Sequence, residues 1–225
     1  MSLFIRAFHT FRAQGAASLA CRPYVVFVDR WFDLRLGVDT CRWADLEQLS
    51  ITGENRGHGF RYEPGRVVIL RKLFQQIRKL LPGELSVVDL GAGKGRVLLI
   101  AAEFGAVRAT GVEFAHELCE AARKNCDHYA HKPGCRTRFE VVESDVVDYV
   151  VHPEENVFIL FNPFDDVVLR KITGNIANSV EQHPRQVLIC YYNPQYDTVI
   201  SADPRFRKLL SLSPQGYQFS VYGNV

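Results

Sequence analysis

From residue 66 onward, the hydrophobic positions change period in a regular way. Leu70, Leu73, Phe74, Ile77, Leu80 and Leu81 recur at the three- and four-residue spacing of one helix face, and Pro82-Gly83 stops that helix. An apolar run from Leu85 to Leu90 then predicts a buried strand, Gly95 to Phe104 an apolar helix, Arg108 to Val112 a strand and Ala115 to Cys126 a helix. Further strands are predicted at Thr137 to Val142, Val157 to Phe161 and Gln186 to Tyr191, the last two separated by a helix carrying Val168, Ile172, Ile176 and Val180. Short strands at Phe206 to Leu210 and Tyr217 to Tyr222 flank Ser213-Pro214-Gln215-Gly216 and predict a closing hairpin. Seven strands alternating with helices in this way predict an α/β fold, a doubly wound and mostly parallel sheet covered on both faces.

The first 65 residues lack this regularity and end in the glycine-bearing stretch Asn55 to Pro64, which reads as a loop. They are taken as an N-terminal, helical extension and candidate lid, distinct from the regular domain at 66–225. Within the first 28 residues Arg6, Arg12 and Arg22 occur with no acid, and Phe4, Ala7, Phe8 and Phe11 recur at helical spacing. Three readings of this basic amphipathic segment stand: a helix packed on the domain, a helix contacting a membrane surface or a partner, and a mitochondrial-type transit peptide. A secretory signal fits less well, because Arg6, His9 and Arg12 interrupt the apolar region.

Composition narrows the class. The 225 residues are 47% hydrophobic and 23% charged, enough for one full core and unlike a disordered or collagen-like chain. No run of 18 apolar residues occurs, since Asp29 and Arg30 break even the Tyr24 to Trp31 stretch. A net charge of +2 carries no strong nucleic-acid signal. Six scattered cysteines without a C-x-x-C pair favour free thiols, so a cytoplasmic location is expected, with a mitochondrial or membrane-peripheral one as the alternatives. Cys126, His128, His131 and Cys135 lie close together, but their spacing fits no familiar zinc site and no metal is expected.

The strongest chemical signal is Val87-Val88-Asp89-Leu90-Gly91-Ala92-Gly93-Lys94-Gly95-Arg96, at the first strand-to-helix turn. Glycines there allow a tight turn and close approach of a ligand, and the amides opening the next helix suit polar or anionic groups. A phosphate-binding P-loop would need G-x-x-x-x-G-K-[ST], whereas Lys94 lies between glycines. A dinucleotide fingerprint would want Gly or Ala where Arg96 stands. An acid two residues before G-x-G-x-G resembles motif I of the class I, seven-stranded, Rossmann-like S-adenosylmethionine-dependent methyltransferases.

The resemblance continues in the expected order. Gly111-Val112-Glu113 puts an acid at the end of the second strand, where the family binds both ribose hydroxyls. Asp145, in Glu143-Ser144-Asp145-Val146, stands where the family holds the adenine amino group. Phe161-Asn162-Pro163-Phe164 stands at motif IV, beside the transferable methyl. Asp89, Gly91, Ala92, Gly93, Gly95, Glu113 and Asp145 are therefore the implied cofactor-binding residues. Tyr62 and His58, in the preceding loop, are candidate lid residues, with Tyr62 assigned to the cofactor. Each has a plainer reading: helix capping for Asp89 and Glu113, a surface turn for Asp145, and a solvated or ion-paired helix position for Arg96.

Asn162, Pro163 and Phe164 resemble the Asn/Asp-Pro-Pro-aromatic motif of amino-group methyltransferases, with one proline missing. That motif implies a catalytic role in which the Asn oxygen and a Pro carbonyl accept hydrogen bonds from an attacking nitrogen. A turn-forming Asn-Pro followed by a core Phe is the plainer reading. A looser resemblance joins the chain to the seven-stranded non-SET protein-lysine methyltransferases. The expected function is thus methyl transfer from S-adenosyl-L-methionine to a nitrogen acceptor, a protein lysine or another amine. The alternatives are an oxygen acceptor on a small molecule or saccharide, and a non-catalytic protein of the same fold that binds cofactor or a protein partner.

Overall fold

The computed structural model describes residues 22–41, 64–161 and 165–225. Helix α1 spans 22–36. There follow α2 (Val67–Leu80), β1 (Ser86–Leu90), α3 (Arg96–Glu103), β2 (Arg108–Glu113), α4 (His116–Ala130), β3 (Arg138–Glu143), β4 (Val157–Phe161), α5 (Asp166–Gln182), β5 (Leu188–Tyr192), α6 (Asp197–Ser201), β6 (Phe206–Leu212) and β7 (Phe219–Asn224).

The strands form one sheet in the order β3-β2-β1-β4-β5-β7-β6. The first five are parallel, and β7 inserts antiparallel between β5 and β6, so the closing hairpin caps one edge. From β1 the chain runs outward through β2 and β3, then returns to lay β4 on the other side of β1. That reversal leaves a crevice beyond the carboxyl ends of β1 and β4, where ligands bind in sheets of this kind.

Alternation along the buried strands assigns the two faces. Val87, Val157, Ile159, Leu188 and Cys190 point into a core with α2, α3 and the α1 residues Phe32 and Leu36. Their neighbours Val88, Leu90, Phe158, Leu160, Ile189 and Tyr191 point the other way, against α5 and the α6 residues Val199 and Ile200. Period two in each strand and burial on both sides explain the near-continuous apolar runs.

Helix α1 is the main departure from the expected pattern. Its inner face is Val25, Asp29, Phe32, Asp33 and Leu36, all buried, while Tyr24, Phe27, Trp31 and Leu34 lie on the opposite face. Acids inside and apolar residues outside reverse the usual amphipathic signature, which is why this stretch reads as irregular from sequence. The Phe4, Phe8 and Phe11 stripe lies outside the described residues. Helix α4 runs one turn past Cys126, so His128 sits within it, and burial pushes the Cys126 thiol up to about 12. The short helix α6 after Asn193-Pro194 is not marked by any periodic signal in the sequence.

Candidate cofactor and acceptor site

The turn after β1 folds back onto β2. Gly91 and Ala92 both donate their amides to the Val112 carbonyl, at 2.9 and 3.0 Å, and Gly95 closes the loop on the Ala92 carbonyl. Gly91, Gly93 and Gly95 all have positive φ, at 88°, 54° and 80°. A side chain in that region costs roughly 1–2 kcal/mol per residue, so three in succession demand glycine. The contact also needs a fourth glycine. A Cβ on Gly111 would lie 2.8 Å from the Ala92 Cβ and 3.0 Å from a Leu98 methyl.

Two carboxylates sit beside this turn. Glu113, at the end of β2 and buried, accepts from the Gly93 amide at 2.8 Å through Oε2, and from the Phe114 and Ala115 amides at 3.0 Å through Oε1. It therefore bridges the glycine turn and the two residues that lead into α4, whose N-cap position is Ala115 and carries no side-chain cap, so Glu113 is not the helix cap of its plainer reading. Burial raises its pKa, and the three amide bonds oppose that shift.

Asp89, two residues before the turn, is equally buried, and among the described residues no hydrogen-bond donor reaches its carboxylate. Burial first, and the Glu113 charge second, push it up to about 8. Burial and the nearby Glu113 charge thus favour the protonated form of Asp89, while the three amides favour the ionised form of Glu113. Asp89 caps nothing; the position before α3 is Gly95. The site thus contains an amide-held anion and a second acid whose proton a cation can displace.

Asp145 follows β3 and is buried, with Oδ1 accepting from the Val147 amide at 3.1 Å. That bond closes the turn foreseen as its plainer role and fixes the carboxylate at the carboxyl end of the sheet. In register, Glu113 pairs with Glu143 and Leu90 with Leu160, so the ends of β1, β2, β3 and β4 share one rim. Tyr62, His58, Asn162, Pro163 and Phe164 lie outside the described residues.

Arg96 has a different role from a solvated helix residue. It is buried, donating through Nε to Thr40 Oγ1 at 2.8 Å, through Nη1 to the Gly65 carbonyl at 2.8 Å and through Nη2 to Cys41 Sγ at 2.9 Å. Asp29 and Asp33 lie 3.5 and 3.9 Å away. Asp29 in turn holds Arg66 and the Val67 amide, while Asp33 receives the amides of Thr40 and Cys41. Lys94 reaches Asp39 at 3.0 Å. Lys94 and Arg96, the fourth and sixth residues from Gly91, thereby fasten α1 and the segment at 64–66 to the site, which agrees with the ion-paired reading of Arg96.

No family model matches the chain, and no curated sequence matches it either. Solved structures do. An RNA methyltransferase of Salinibacter ruber, solved with S-adenosyl-L-homocysteine, is 18% identical over 72% of this chain and 94% of its own, with a TM-score of 0.52. CalS10, an amino pentose methyltransferase of Micromonospora echinaspora with S-adenosylmethionine bound, is 12% identical over 70% of this chain and 91% of its own, with a TM-score of 0.52. The N-methyltransferase NodS of Bradyrhizobium japonicum is 10% identical over 70% and 97%, with a TM-score of 0.51. The chain has the class I methyltransferase fold. At these identities the likeness is one of architecture, and acceptors as different as RNA and an amino sugar share it.

Two aromatic residues near the carboxyl end of β4, beside the candidate motif IV, were missed from sequence. Tyr192 pairs in register with Phe161, the last residue before Asn162, and their ring centroids are 4.4 Å apart; Tyr217 lies 6.5 Å beyond. A signal existed: Tyr192-Asn193-Pro194 repeats the aromatic-Asn-Pro order of Phe161-Asn162-Pro163 on the neighbouring strand. Asn193 takes φ 50°, a left-handed conformation uncommon outside glycine, at the end of β5. The Gly65 backbone crosses Tyr192 so closely that a Cβ there would meet its ring at 3.3 Å.

Proposed function

We propose that this protein is an S-adenosyl-L-methionine-dependent methyltransferase acting on a nitrogen acceptor. The observation that carries the cofactor assignment is the pair of buried carboxylates, Asp89 without a donor among the described residues and Glu113 amide-bound, flanking three left-handed glycines at the sheet's switch point. The chemistry of the donor set fits the group. A zwitterionic sulfonium with an α-ammonium brings cations to an acid that has no donor of its own, and its adenosine brings a diol.

Glu113 has about four acceptor positions, of which three are taken by amides. Accepting both ribose hydroxyls requires that one amide be released. Asp145 receives the adenine amino group in the same reading, and Tyr62 is assigned to the cofactor. When bound, the cofactor supplies an electrophilic methyl on sulfur. This chain's residues then have to exclude water, orient the acceptor and keep its lone pair free. Asn162 and Pro163 accept hydrogen bonds from the nitrogen, while Phe164 faces the developing cation. Phe161, Tyr192 and Tyr217 supply an aromatic cluster at the end of β4 and β5. An amine with an ordinary pKa of about 10.4 must arrive neutral or lose its proton on binding, which a desolvated aromatic pocket favours.

Incubation with methyl-labelled cofactor and fractionated lysate tests the proposal. Label in protein or in an amine is expected. Label confined to hydroxyl acceptors selects the oxygen alternative, and cofactor binding without any transfer selects the non-catalytic one.

A further inference from the structure

Helix α1 presents an outer face that the described residues leave uncovered. Tyr24, Phe27, Trp31 and Leu34 follow one another at i, i+3, i+7 and i+10 and are 56%, 65%, 54% and 75% exposed. A helix normally turns such a stripe inward, and this one already buries Val25, Phe32 and Leu36 on its other side. The charges separate in the same way. Of the five charged residues in 22–36, Asp29 and Asp33 are buried and bonded to Arg66, Thr40 and Cys41, whereas Arg30 and Arg35 are exposed and Arg22 is half-exposed. The outer face therefore carries aromatic and aliphatic side chains with cations only.

We propose that this face of α1 docks on an anionic lipid bilayer surface. Tyr and Trp, with an apolar body and a polar tip, suit the headgroup boundary, Phe and Leu partition below it, and arginines meet lipid phosphates. A second copy of the chain fits less well. A symmetric dimer through this face would set its arginines against their own equivalents with no exposed acid on the helix to meet them. The face is held rigidly relative to the candidate cofactor site, because Arg96 and Lys94 bind the acids and the segment around α1's carboxyl end.

The test is independent of methyl transfer. The full chain is sedimented with vesicles of phosphatidylcholine alone and of phosphatidylcholine with roughly one-third phosphatidylglycerol, alongside the double variant Phe27→Glu/Trp31→Glu. Wild type is expected to bind the anionic vesicles and not the neutral ones. The variant should bind at least ~10-fold more weakly while keeping its melting temperature, since both side chains are largely outside the core. Three results would overturn the proposal: no binding of wild type to anionic vesicles, undiminished binding of the variant, or a concentration-dependent dimer of wild type that the variant abolishes. A short RNA that binds wild type but not the variant, with vesicles failing to compete, would assign the face to nucleic acid instead.

Discussion

Asp89→Asn removes one ionisable proton from the buried pair and little else in shape. In the folded chain Asp89 titrates at about 8, against an ordinary value of 3.8, because burial and the nearby Glu113 charge oppose its ionisation. Below pH 3.8 both folded and unfolded states hold this proton, so Asp89 adds no pH dependence. Between pH 3.8 and 8 the unfolded chain releases the proton and the folded chain keeps it, so stability falls as pH rises. The slope is at most about 1.4 kcal/mol per pH unit for one proton, and above pH 8 it vanishes. Urea unfolding at pH 5, 6, 7 and 8 should show this decline in wild type and a flatter profile in Asp89→Asn. The absolute stability of the variant at any one pH is less informative, because a buried amide lacks partners too. Parallel profiles for the two proteins would show that Asp89 is ionised throughout, and the assignment of the proton would be wrong. The same group predicts proton release when a cation binds. Calorimetry in two buffers of different ionisation enthalpy should detect up to one proton released by wild type at pH 7, and none attributable to this site in the variant.

Arg96→Leu should destabilise the protein by roughly 3–5 kcal/mol, the usual cost of stranding buried carboxylates, which chemical denaturation would read as a lower unfolding midpoint. Gly111→Ala forces a methyl against Ala92 and Leu98; overpacking of this kind costs roughly 1–3 kcal/mol, and cofactor affinity should fall with the melting temperature because the glycine turn must shift. Asn162→Ala should lose roughly 2.7–4 kcal/mol in activation free energy, as for other preorganised polar groups, with cofactor affinity nearly unchanged in direct titration. Near-normal turnover of that variant would remove the argument for a nitrogen acceptor.

Much of the domain from β1 onward was legible because its signals are local. Strand runs buried on both sides, an i, i+3, i+4, i+7 helix face and glycines between a strand and a helix each follow from neighbouring residues. The glycine turn, Glu113 and Asp145 could be located for the same reason, each at a strand end in a fixed order. What escaped depends on partners far away in sequence. Asp29 and Asp33 look like a surface helix's acids until Arg96, more than sixty residues later, is seen to bury with them. Gly111 reads as a spacer before Glu113 until the turn at Ala92 is found lying on it. Tyr192 ends β5 and Tyr217 stands just before β7, so the two meet only because β7 inserts beside β5. The amide bonds of Glu113 and its proposed role toward a diol use the same acceptor oxygens in different states of the site.

The crevice at Asp89, Gly91 to Gly95 and Glu113 is proposed to bind S-adenosyl-L-methionine and its demethylated product. Isothermal titration of the folded protein with each, repeated on Glu113→Ala, tests it most directly. Saturable single-site heat is predicted for wild type, with affinity in the variant weakened by about 1.5–3 kcal/mol through loss of charge-assisted hydrogen bonds. A folded wild-type sample giving no heat and no thermal shift at millimolar ligand would contradict the account, and unchanged affinity in Glu113→Ala would place the ribose acid elsewhere.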